Sequence, residues 1–177
     1  MKLTCWGADT RVVSLGEVMS WCLLQHHVDR MLVALRLEQH GNKWRYANEA
    51  AGESVKALFA PFILTGFQAS EWPGTQLVGH PGFVYVLNFD EAVKNIVLAT
   101  QPSLDKWGHS EDLPLPEDIC LFKEADSHPI LVSRTHDLDA WLITDKEPTL
   151  QGFAKTNIPP GNMFPEGRFF CKKYERE

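Results

Sequence analysis

Three short β-prone runs joined by two short polar connections constrain this chain more than any other feature. Residues 118–123, 129–133 and 139–144 are rich in Ile, Leu, Val and aromatic side chains. The connections between them, residues 124–128 and 134–138, are short and polar. Connections of that length join antiparallel neighbours, because a parallel pair needs a crossover of about a dozen residues or more. A C-terminal three-stranded meander is therefore expected.

Upstream, the punctuation reads as helical. Ser14-Leu15-Gly16-Glu17 fits a capping box, in which the hydroxyl accepts a free N–H and the Glu reaches back. The helix that it opens is expected to run on until Gly41, a good left-handed terminator. Trp21, Leu24, Val28, Met31, Leu32 and Leu35 recur at spacings of three and four, forming one apolar stripe. Leu15, Met19, Leu23, Val33 and Leu37 form a second face, so the helix should pack on more than one side. A second helix is expected over 49–59, ended near Pro61, and a third over 91–100, capped by Asp90. Residues 62–67 and 82–89 read as buried strands, and residues 102–107 as a helical turn. After Glu147 the chain is rich in Pro and Gly and should wrap irregularly. Helices first and strands later give an α+β fold, with N-terminal helices packed on a mainly antiparallel sheet. At 177 residues the chain is one domain long.

Charge narrows the function classes. The chain carries 17 basic and 23 acidic residues, a net of −6. This argues against nucleic acid as a partner. Between Gln101 and Glu147, eleven acids face four bases, leaving that segment at −7 and the remainder at +1. The acidity thus belongs to the meander and its approach, as a solvated face or as a field that steers a basic partner. Asp9, Thr10 and Arg11 interrupt any secretory apolar core, and the apolar stretches are too charged or too short to span a bilayer. A cytoplasmic protein is expected, with no membrane partner. The four cysteines, Cys5, Cys22, Cys120 and Cys171, form no Cys-x-x-Cys pair. Cys22 and Cys120 read as small core residues.

Two motifs carry potential chemistry. Cys5-x5-Arg11 resembles in spacing the phosphate-binding loop of protein tyrosine phosphatases, which would imply a thiolate nucleophile held beside an Arg. Val12 stands where that family has Ser or Thr, and only four residues precede Cys5. Thr135-His136-Asp137-Leu138-Asp139 is the densest polar cluster. Its imidazole and carboxylates could act as base and orienter or hold a divalent metal, or could simply bond a tight turn. The His-Asp pair is similar to that of HD-type phosphohydrolases, which place it on a helix, whereas here it falls between two strands. His26 and His27 diverge on a helix and cannot chelate together. Trp44, Trp72 and Trp107 lie in polar or loop contexts, as core lids or, where left exposed, as interface anchors.

The leading expectation is a non-enzymatic binding protein, of inhibitor or immunity type, that engages a basic protein surface without a cofactor. Its contact residues would be Trp107, Glu117, Asp118, His136, Asp137 and Asp139. The alternatives are a metal-dependent hydrolase using His136, Asp137 and Asp139, and a small-ligand module with an aromatic pocket near Trp107 and Trp141.

Overall fold

The computed structural model describes residues 3–108, 115–126 and 128–157. In chain order these form β1 (Thr4–Asp9), α1 (Leu15–His26), β2 (Arg30–His40), β3 (Lys43–Tyr46), α2 (Glu49–Phe59), β4 (Ile63–Ala69), β5 (Glu71–Trp72), β6 (Thr75–Gln76), β7 (Gly82–Asn88), α3 (Glu91–Thr100), β8 (Asp118–Phe122), β9 (Pro129–Arg134), β10 (Asp139–Thr144) and β11 (Ala154–Thr156). Nine of the strands make one sheet in the order β11-β1-β10-β9-β8-β2-β7-β4, with β3 paired to the end of β2. All of its pairings are antiparallel. The fold is α+β, and β8, β9 and β10 form the expected meander.

Each helix begins on a side chain that accepts a free backbone N–H. Ser14 Oγ takes Glu17 N at 3.4 Å, Asn48 Oδ1 takes Ala51 N at 3.2 Å, and Asp90 Oδ1 takes Val93 N at 3.0 Å. The buried faces of all three helices join one cluster on one side of the sheet, through Leu15, Met19, Val55, Phe59, Val93 and Val97. The other side buries Leu32, Ala34, Val84, Val86, Cys120, Phe122, Val132 and Trp141. There the short β5–β6 hairpin folds back and lays Trp72 on the sheet.

The first helix is shorter than its apolar pattern predicts. It stops at His26; His27 takes φ 52° and ψ 43°, and its N–H bonds back to Leu23 O at 3.1 Å. After three residues the chain re-enters as β2, the strand between β8 and β7. Met31, Val33 and Leu35 join the helix-side cluster, while Leu32 and Ala34 join the opposite one. A strand buried on both faces reads as a continuous apolar run, and such a run also satisfies three-and-four spacing. Of the stripe Leu24, Val28, Leu32 and Leu35, the last three are buried, but Leu24 is 69% exposed because it lies on the outer face of α1.

β1 also replaces an expected feature. Cys5 sits mid-strand, paired in register with Ile143, rather than in a phosphate-binding loop. Burial pushes its thiol up to about 11, so it stays protonated at neutral pH. Arg11 turns back onto Asp9, with Nε to Oδ1 at 2.9 Å. Nucleophile and anion-binding Arg are thus both spent on structure. Cys22 and Cys120 are buried core residues, as expected; Cys171 lies outside the described residues.

Candidate functional site

Antiparallel pairing divides the meander's acids between two ends of the sheet. Glu124 and Asp126 in the β8–β9 connection share one end with Asp145 and Glu147 after β10. Glu117, just before β8, and Asp118, its first residue, share the other with Asp137 in the β9–β10 connection and Asp139 at the start of β10. Strands of five or six residues hold these ends about 17–20 Å apart. At the first end Arg30 pairs with Glu124 at 2.5 Å, and Lys146 Nζ donates to Gln25 O at 2.6 Å. The second end brings together most of the expected contact residues.

Asp118 anchors that second end from below. It is 1% exposed. Its Oδ2 accepts from Trp72 Nε1 at 2.9 Å and Thr75 Oγ1 at 3.1 Å, and its Oδ1 accepts from Thr135 N at 3.2 Å. Burial raises the carboxyl above its usual range, outweighing these donors and the nearby His136. Thr135 Oγ1 in turn donates to Glu117 O. One carboxyl therefore staples the β5–β6 hairpin and the β9–β10 turn onto the start of β8. With its oxygens already satisfied and no exposed surface, it is a structural group and not a surface contact.

The β9–β10 turn is a short 3-10 turn over Thr135–Asp137, closed by Leu138 at φ 59°. Arg134 lies inside it. Its guanidinium pairs with Asp137 at 3.0 Å and with Asp139 at 3.4 Å, and it sits 4.9 Å above the Trp141 ring. The two carboxylates remain half-exposed, at 42% and 45% of their side-chain surface. His136 Nε2 lies 3.6 Å from Asp137 Oδ1. The turn reading of Thr135–Asp139 thus describes the backbone, and Arg134 stands where a metal would have to compete with it. Among the described residues, no group of three or more His, Cys, Asp or Glu side chains converges to hold a metal ion.

Trp107 is not a contact residue. It is fully buried in the helix-side core, and its Nε1 donates to Gln101 O at 3.0 Å. Trp141 and Trp72 are buried as well, on the other side of the sheet. Trp107 and Trp141 pack in opposite layers of the fold, so the two do not share the aromatic pocket expected near them. Of Trp44, Trp72 and Trp107, only Trp44 keeps part of its ring in solvent.

Between the Asp118 staple and solvent lies a cleft of about 370 Å³, lined by Arg36, Leu77, His80, Glu117, Thr135 and His136 together with Trp72. Its volume falls in the range of small-molecule sites, about 300–1,000 Å³. His80 Nδ1 is buried there without a hydrogen-bond partner. Arg36 reaches the cleft because it follows the last β2 residue paired to β8, Ala34, by two positions on the same face. A smaller depression of about 80 Å³ beside it is also lined by Arg36 and Glu117 and extends to Asn48 and Ala51.

From sequence, Trp72 is named as a core lid but its bond to Asp118 is not, and Arg36, Thr75 and His80 are not singled out. The helical pattern expected up to Gly41 includes Arg36, which lies instead on β2. Thr75 has a readable signal, since Trp72-Pro73-Gly74-Thr75 is a tight-turn sequence with Pro before Gly. Gly74 duly takes φ 85°. Compared with known proteins, the chain matches no family model, no curated protein and no solved structure. Among the described residues, no helix is long and apolar enough to cross a membrane.

Proposed function

We propose that this chain is a non-enzymatic binding protein that engages a basic protein surface at the β9–β10 end of its sheet. Glu117, His136, Asp137 and Asp139 are the contact residues of this reading, with Trp107 and Asp118 supporting it from within. The observation that carries it is how the polar groups at this end are used. Asp118 is sealed under the surface, its carboxyl held by three donors. The acids that reach solvent, Asp137 and Asp139, are held in place by Arg134, in the turn whose Thr135 and His136 line a cleft. A catalytic group needs a free lone pair or proton within reach of a substrate. A recognition surface needs charge fixed in position, which lowers the ordering cost of association. Inhibitor and immunity proteins act through surfaces of this kind.

Capture from native lysate tests the proposal. The wild-type chain is compared with an Asp137→Asn, Asp139→Asn variant at low and physiological salt. Charge steering extends about 30 Å at 0.01 M ionic strength and about 8 Å at 0.15 M. The same protein should be retained by the wild type and lost from the variant, with weaker retention at the higher salt. Equal retention by both chains at both salts would refute it. The cleft supports a second reading, a small polar ligand bound between Arg36 and the unpartnered His80 nitrogen. Protection of His80 resonances by a metabolite pool, unchanged in the double variant, would favour that reading.

A further inference from the structure

The sheet end carries a second, larger recess, and its chemistry differs from that of the cleft. β2 runs past its partner β8 and pairs with β3 through Leu37↔Tyr46 and Gln39↔Trp44. The hairpin and α2 enclose a groove of about 620 Å³. Trp44, Tyr46 and Phe83 form its aromatic walls, Glu49 and Glu53 bring carboxylates from α2, and Arg45 also lines it. The Tyr46 ring is fixed. Its hydroxyl is 2.9 Å from Tyr85 Oη, its ring meets Phe83 edge to face at 5.6 Å, and it lies so close to Gly52 that a Cβ there would come within 2.7 Å. The hydroxyl of Tyr46 is therefore occupied, and its ring remains among the lining of the groove.

Aromatic faces beside carboxylates attract organic cations, and guanidinium most of all, because it is planar, weakly hydrated and forked to match a carboxylate. The protein already holds one cation here. Lys56 Nζ lies 6.0 Å from the Tyr46 ring centre and 2.9 Å from Glu53 Oε1. Glu49, at the helix start, enters none of the ion pairs found among the described residues. The Lys56–Glu53 pair is exposed, so solvent screens it and it yields readily to a better-placed cation.

We propose that this groove receives an arginine side chain of a protein partner, stacked on Trp44 and Tyr46 and paired with Glu49 and Glu53. The choice of a basic protein as its source rests on the binding function proposed above. The small depression lined by Arg36, Asn48, Ala51 and Glu117 shares Arg36 and Glu117 with the cleft, and its Asn48 adjoins the groove's Glu49 in the chain. The half-exposed Trp44 then serves as the aromatic anchor of the interface.

Two capped pentapeptides test the assignment, one with a central arginine and one with citrulline, which keeps the shape and loses the charge. The Trp44 indole N–H is followed by NMR, assigned through Trp44→Phe. The arginine peptide should shift it saturably in the millimolar range, with citrulline at least about ten-fold weaker, a difference of about 1.4 kcal/mol. Glu49→Gln with Glu53→Gln should weaken arginine binding to the citrulline level. Lys56→Met should strengthen it a few-fold by removing the resident cation, an effect that a purely structural role for Lys56 would not produce. Equal shifts from both peptides, no saturable shift, or shifts confined to the β9–β10 turn would each overturn the proposal. The two readings fail separately. If the arginine peptide binds at Trp44 while lysate capture is indifferent to Asp137 and Asp139, the acidic turn is wrong and the groove stands. If capture depends on those acids but the peptides do not discriminate, only the groove is wrong.

Discussion

Leu32→Ala is the substitution that separates a strand over residues 30–40 from a helix. Leu32 is fully buried, in register with Val86 on β7 and Cys120 on β8. Removing three methyl-sized groups from such a side chain costs about 2–5 kcal/mol, as lost transfer energy plus an unfilled cavity. Backbone ladders on both sides keep β2 from moving into the gap, so the loss should fall in the upper part of that range, about 3–5 kcal/mol. Against a typical stability of about 5–15 kcal/mol, that is a large share. Leu24→Ala is the control: the two leucines belong to one apolar stripe on a continuous helix, but Leu24 is 69% exposed on α1. Its replacement should change stability by no more than about 0.5 kcal/mol. Urea unfolding followed by circular dichroism measures both, with the slope checked so that the shift reports stability alone. Similar losses for the two variants, or a loss under about 0.5 kcal/mol for Leu32→Ala, would refute the two-faced strand.

Three further outcomes are expected. Gly82→Ala should destabilise the fold by about 1–3 kcal/mol, because its Cβ would lie 2.7 Å from the Trp72 ring and 3.2 Å from Leu35 O; on a Trp72→Leu background, urea unfolding should show a smaller further loss from Gly82→Ala, because the ring it meets is gone. Burial first, and Lys146 next, hold His26 below its usual value of 6.5, and burial does the same to His128. The unfolded chain therefore takes up protons that the folded chain resists, so stability should fall as pH drops below 6.5, and His26→Gln should flatten that slope in unfolding at stepped pH. A thiol reagent should find Cys5, Cys22 and Cys120 unreactive in the native protein, where burial holds Cys5 near 11. After unfolding without reductant it should count four thiols, and a count of two would reveal a disulfide.

What was legible in the sequence was local. Short polar connections dictate antiparallel neighbours, and residues 118–144 form the meander that they predict. Asn48 and Asp90 accept N–H groups three residues on, so their helices start where the side chains say. The run Met31-Leu32-Val33-Ala34-Leu35 was not legible, because period 2 with both faces buried and period 3.6 fit the same letters. Only the presence of β7 on one side and β8 on the other turned it into a strand. The candidate site divides along the same line. Arg134, Asp137 and Asp139 are near neighbours in the chain, and a turn is enough to bring them together. Asp118 became a buried staple because Trp72 and Thr75, more than forty residues earlier, fold back onto it. Trp44, Tyr46 and Phe83 share a groove only because β2, β3 and β7 are adjacent. Charge counts recorded how much acid the meander carries, but antiparallel pairing alone sent half of it to each end. Residue spacing along a chain sets backbone hydrogen bonds within a few residues, whereas the partners of a buried polar group are chosen by whichever distant segments the core brings to it.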